Sequence, residues 1–264
     1  MKPEGNSRSQ VEQGGVAFGA DSPVAAKARA RMLEMIAIFF ALPWLLVLAP
    51  AIPLWLVLWP AAGLVWLVLR ADASFDRAQL WFNQAMILQA AGCIDRFDHC
   101  GRLSRSWWRS ILLPMLVRLA VVALILYLFL LLVLPDSLFA LPRQHPGLWL
   151  AVMLLYPLLS VYPQELIFRT FFLHRYQDIC KRPGILLLTN ALAFAMAHVI
   201  YRNWVAVLLT FFGSFLFART YQRTRSTLVA SVEHSLYGCL IFTIGLGRFF
   251  YLGGINSLPA LLRF

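Results

Sequence analysis

Charge is what this sequence has least of. Asp, Glu, Lys and Arg make up 13% of its 264 residues, against about 25% in an average soluble domain. With 61% of the residues hydrophobic and a mean hydropathy of +0.72, the composition excludes an ordinary soluble fold and indicates a polytopic membrane protein. Cysteine is scarce too. Cys93, Cys100, Cys180 and Cys239 show no metal-ligand spacing, which excludes a zinc-ribbon or disulfide scaffold and leaves reduced thiols as the expectation. There is no internal repeat, so the inverted-repeat signature of many transporters is missing, and there is no low-complexity tract. Residues 1–31 are polar, rich in Gly, Ala and Ser, and lack the apolar core of a cleaved signal peptide. They read as a disordered cytoplasmic tail, leaving 32–264 as a single helical membrane domain.

What is present is long apolar runs. A span needs roughly 20 apolar residues. Met32–Pro50, Ala51–Leu69, Ile111–Leu134, Leu148–Phe172, Ile185–Ile200, Trp204–Ala218 and Leu228–Leu246 meet or approach that length. Residues 249–262 are either a short eighth span or a re-entrant piece. The segment of about 70–110 is the long polar break, and "SFDRAQLWFNQAMILQAAG" within it reads as an amphipathic helix lying in the interface. The expected fold class is an all-α polytopic membrane protein, seven or eight transmembrane helices around a polar intramembrane cavity.

The formal charge of +11 does not point to nucleic acid, because the basic residues are spread over short loops between spans. Seventeen Lys and Arg fall in the tail, the 70–110 break and the loops after spans four and six, whereas the opposite loops hold only Arg143 and Arg202. That asymmetry places the N-terminus in the cytoplasm and the basic face against anionic lipid. A bacterial-type inner membrane is the expected location.

Three polar clusters interrupt the spans, and a charge at bilayer depth costs several kcal/mol, about 3 on the most lenient scales. In the fourth, "QELIFR" sets Glu165 and Arg169 one turn apart on a shared helix face, beside Gln164. In the fifth, "NALAFAMAH" puts Asn190, Phe194 and His198 on one stripe. In the seventh, "SVEHSLYGCL" carries Glu233 and His234, with Gly238 four residues on clearing space on its face. Carboxylates and imidazoles from three helices can converge on one wet pocket, suited to water activation and oxyanion stabilisation or to a divalent metal.

These residues resemble the CPBP family of intramembrane proteases, which includes the CAAX prenyl endopeptidases and bacterial Abi proteins. The family's motifs are Glu-Glu-x-x-x-Arg, Phe-x-x-x-His and His-x-x-x-Asn or Asp. They fall here on Gln164-Glu165-Leu166-Ile167-Phe168-Arg169, on Phe194 to His198, and on His234 to Gly238. The CPBP-like core covers about 148–246. Two positions depart from the pattern: Gln164 stands where the family's water-activating glutamate does, and Gly238 where its asparagine or aspartate helps hold the oxyanion.

The resemblance implies an intramembrane endopeptidase that hydrolyses a membrane-associated protein or peptide with glutamate-activated water. Since glutamine cannot serve as a base, either Glu165 or Glu233 takes that role, or the protein is a catalytically inactive relative that binds a peptide or membrane partner. A proton-coupled transporter is a further alternative. In the hydrolase reading Glu165, His198 and His234 are catalytic, and Gln164, Arg169, Glu233, Asn190 and Phe194 support them or substitute for them. No cofactor is expected. Zinc or another divalent metal is the alternative, though no HExxH pairing supplies two ligands from one helix. Nothing in the sequence fixes the oligomeric state.

Overall fold

The computed structural model describes residues 22–48, 53–82 and 108–251. These form a helical bundle with no β-strand among the described residues. Its helices are α1 (Pro23–Leu48), α2 (Leu54–Ala71), α3 (Leu113–Val133), α4 (Pro146–Tyr176), α5 (Pro183–Ala197), α6 (Trp204–Thr224) and α7 (Thr227–Ile244). Six of them are long and apolar enough to cross a membrane, α3 being led in by a wide turn and α5 running on through a short 3₁₀ turn to Tyr201. The apolar stretch of α2, Leu56–Ala71, is shorter. The chain is therefore an all-α, multi-pass membrane protein.

Several boundaries differ from the expectation. The first helix begins at Pro23, not Met32, so the last part of the 1–31 tail is helical. The cause is local: Ser22 caps it by accepting from the Ala25 N–H, proline sits at the first helical position, and Ala, Lys, Arg, Met and Leu follow. Of the proposed amphipathic segment, Arg77–Leu80 is a short 3₁₀ turn, and residues 83–107 lie outside the described residues. At the other end Leu246–Phe250 is a 3₁₀ turn, and 252–264 also lie outside them.

α7 is the central element and α3 a peripheral one: half of the apolar window of α7 is buried, against 6% of that of α3. α5 and α6 are antiparallel neighbours joined by a turn in which Arg202 is left-handed and Asn203 caps α6, accepting from Ala206 N–H at 2.8 Å. Ser226 caps α7 in the same way. Gly245 ends α7 at φ 117°, where a Cβ would meet the Ser137 carbonyl oxygen at 1.8 Å, so only glycine serves.

α4 carries the site, and its course is irregular. Pro157 opens a π turn over Pro157–Val161, and a second π turn follows at Leu166–Phe171. Proline removes one backbone donor and crowds the preceding turn, which a widened turn accommodates. Each widened turn changes the phase of the helix, so the faces of α4 cannot be read from a uniform 3.6-residue period. The basic end of α4 is tied to its neighbours. Arg175 pairs with Glu34 of α1 at 2.9 Å, the Tyr176 hydroxyl donates to Glu34, and His174 meets Asp72 at 3.0 Å. Phe39 packs edge-on to Phe168, Phe172 and Tyr176 with ring centroids 5.0–5.9 Å apart.

Candidate active site

Glu165 and Arg169 are both fully buried. Arg169 Nε lies 3.3 Å from Glu165 Oε2, the i, i+4 contact. Its geometry is a contact of charges more than an aligned hydrogen bond, since neither atom has a hydrogen-bond partner. Arg169 is held from its other sides. Nη1 donates to Asn190 Oδ1 at 2.9 Å, and the guanidinium lies 4.6 Å from the Phe194 ring centroid and 5.7 Å from that of Phe217. A desolvated cation over aromatic faces gains about 2 kcal/mol. Asn190 in turn donates from Nδ2 to the Phe168 carbonyl at 2.5 Å. The stripe on α5 thus braces the pair on α4.

The second oxygen of Glu165 reaches across to α7. His234 Nδ1–H donates to Glu165 Oε1 at 2.8 Å, and the imidazole stacks on Phe217 at 4.4 Å and 12°. With the proton on Nδ1, Nε2 of the neutral ring is an acceptor. His198 has the same polarity for a different reason: its Nδ1–H donates to the Phe194 carbonyl at 2.7 Å, and a carbonyl only accepts. Both imidazoles therefore present a lone pair on Nε2.

His198 and His234 line one cavity of about 290 Å³, together with Gln164, Ser160, Tyr156 and Tyr237. Val122 and Leu126 of α3 and Leu209 and Leu216 of α6 add an apolar wall. A smaller cavity of about 190 Å³ lies towards α1 and α2 and shares Ser160, Gln164, His198 and Tyr201. Gln164, not Glu165, thus stands at the cavity, on α4 with Tyr156 and Ser160. Its Nε2 donates to Ser160 Oγ at 2.7 Å, and its Oε1 is buried without a partner.

Neither glutamate lines the cavity. Glu165 is turned into the Arg169–His234 side. Glu233, also fully buried, accepts from Arg118 Nη2 of α3 at 2.6 Å, and Arg118 also reaches Thr220. Arg118 thus ties α3 to α7. Among the described residues no three His, Cys, Asp or Glu side chains gather as a metal-binding group.

These four helices also carry a match to known sequences. Residues 143–240 match the family described as type II CAAX prenyl endopeptidase Rce1-like. The family is one of proteases, and the matched stretch contains Glu165, Arg169, His198 and His234. No curated protein and no solved structure matches the chain.

Within the matched segment, sequence reasoning overlooked Tyr156. Its hydroxyl lies 3.2 Å from His234 Nε2, donating to the lone pair that Glu165 leaves there. A tyrosine in "AVMLLYPLLS" gives no signal apart from the proline that follows it. The clue lay on the other helix, at Gly238, where a Cβ would fall 2.2 Å from Tyr156 Cε1. The space cleared by Gly238 is filled by this ring.

Proposed function

We propose that the chain is an intramembrane peptide hydrolase of the CAAX-endopeptidase type, with Glu165 and His234 working as a pair. The observation that carries this is the buried 2.8 Å contact from His234 Nδ1 to Glu165 Oε1, with the other ring nitrogen turned to the cavity. The carboxylate fixes the tautomer and orientation of the imidazole and stabilises the imidazolium that forms when Nε2 takes a proton from water. Such positioned bases contribute about 10²–10⁴-fold. Glu165 then acts through His234 and not directly on water. His198 Nε2 supplies a second acceptor for the same water, and the Gln164 amide orients water or substrate. Arg169, braced by Asn190 and Phe194, holds Glu165 in place. Glu233 serves the α3–α7 tie.

The substrate in this reading is a membrane-anchored protein or peptide, whose apolar part the α3 and α6 side chains lining the cavity would contact. The charge asymmetry of the loops supports an N-terminus in the cytoplasm of a bacterial-type cell, with the basic face on anionic lipid. Gln164 favours a second reading, a peptide-binding relative without catalysis, because an amide stands at the cavity where a carboxylate could deprotonate water directly.

The two readings separate in one experiment. The full chain is reconstituted in vesicles containing anionic lipid and exposed to a library of membrane-anchored peptides, prenylated CAAX peptides included. Cleavage by wild type that is lost in His198→Ala and His234→Ala supports the hydrolase. Binding without cleavage by wild type supports the peptide-binding relative.

A further inference from the structure

Hydrolysis needs a donor as well as a base, and the imidazoles at this cavity cannot supply one at rest. His198 and His234 both spend their Nδ1 proton elsewhere, on the Phe194 carbonyl and on Glu165. Of the other polar groups at the cavity, the Thr210 hydroxyl donates to its own helix and a Gln164 amide N–H to Ser160, while the Ser160, Tyr201 and Tyr237 hydroxyls also line it without touching either imidazole's Nε2. The Tyr156 hydroxyl is the one that contacts a catalytic ring nitrogen, 3.2 Å from His234 Nε2.

Its position is set by shape. The ring packs edge-on to Phe242 at 5.5 Å and lies directly over Gly238, where an added Cβ would stand 2.2 Å from Cε1 and 2.5 Å from the hydroxyl oxygen. Any side chain at 238 displaces the phenol. The π turn that begins at Pro157 follows immediately and sets the course of α4 beyond it.

We propose that Tyr156 is a catalytic residue, the hydrogen-bond donor to the oxyanion, seated by the absence of a side chain at Gly238. This rests on the hydrolase reading above. At rest the phenol donates to His234 Nε2 and keeps that lone pair occupied. When substrate and water enter, water donates to Nε2 and the phenol turns to the scissile carbonyl oxygen. The water oxygen bonds to the carbonyl carbon, its proton passes to His234 Nε2, and the carbonyl π pair moves onto oxygen, where it accepts from the Tyr156 hydroxyl. On collapse the C–N bond breaks and the Nε2 proton goes to the leaving amine. No other reactant is consumed.

The test uses full-length protein in vesicles, a peptide that wild type cleaves, and ¹⁵N-histidine spectra. Tyr156→Phe removes the hydroxyl and keeps the ring over Gly238. We expect kcat to fall about 10²–10³-fold, the loss found for one oxyanion donor, with KM near wild type, and the His234 Nε2 resonance to move. Gly238→Ala, which displaces the ring, should lose kcat likewise. If Tyr156→Phe fails to fold, 3-fluorotyrosine at 156 keeps the shape and alters the donor, and kcat should change. Wild-type kcat in the phenylalanine or fluorotyrosine protein, or an unmoved Nε2 resonance, overturns the role of Tyr156 and leaves the hydrolase reading standing. Failure of wild type to cleave any peptide overturns the hydrolase reading and this inference with it.

Discussion

Replacing Glu165 by glutamine separates its two jobs, balancing Arg169 and partnering His234. The shape is kept, and an amide oxygen can still accept from His234 Nδ1–H. What disappears is the negative charge 3.3 Å from Arg169 Nε. At an effective dielectric of about 20, a pair at that distance interacts by about 5 kcal/mol. Removing one partner of a buried ion pair typically costs about 3–5 kcal/mol, and the Asn190 and aromatic contacts to Arg169 do not replace the lost charge. Glu165→Gln should therefore lose about 3–5 kcal/mol of stability in equilibrium unfolding from mixed micelles. Its cleavage rate should fall about 10²–10⁴-fold, because the imidazolium loses its counter-charge. A second variant decides between the two jobs. Glu165→Gln with Arg169→Leu removes both charges, and a buried pair replaced by neutral groups is often tolerated. The double variant should recover much of the stability and none of the rate. Wild-type stability in Glu165→Gln, or recovery of rate in the double variant, would rule out these two roles for Glu165.

Three further outcomes follow from the contacts. Glu233→Gln leaves Arg118 without its carboxylate and should lower stability while changing the cleavage rate far less than Glu165→Gln does; an inactive, normally folded Glu233→Gln would make Glu233 the base. At the basic end, the Ser74 hydroxyl and then His174 hold the Asp72 carboxyl well below the usual carboxylate range. Its contribution to stability is present above its unfolded value of about 3.9 and is lost as pH falls through the lower folded value. Asp72→Asn should thus flatten the acid limb of an unfolding-versus-pH curve, and an unchanged acid limb counts against the contact. Cleavage should survive chelators; loss on chelation with return on adding zinc would put a metal at the histidines.

The bundle was legible because length and hydropathy alone define spans, and the Glu165–Arg169 contact because a helix brings i and i+4 together. The stripe of Asn190, Phe194 and His198 was legible for the same reason, though Asn190 and Phe194 turned out to serve Arg169. What sequence could not show was phase and partnership. Gln164 stands at the cavity and Glu165, one residue and about 100° on, faces Arg169 and His234; which of the two faces the cavity depends on how α4 packs against α5 and α7. Glu233 looked available as a base because its partner, Arg118, lies on another helix 115 residues away in sequence. The start of α1 at Pro23 was missed because the Gly, Ala and Ser content of the tail outweighed a single N-cap serine. Tyr156 was invisible because its place beside His234 depends on a side chain that is absent from Gly238, on a helix separated from it by two others in sequence.

In the proposed mechanism the Glu165–His234 pair adds water across a peptide bond. Cleavage in ¹⁸O-labelled water, read by mass spectrometry of the product peptides, follows that oxygen. Wild type should place one ¹⁸O in the new C-terminal carboxylate, and His234→Ala, reconstituted at equal folded yield, should give no product above background. An intact peptide with wild type, or equal labelling by His234→Ala, would contradict the account.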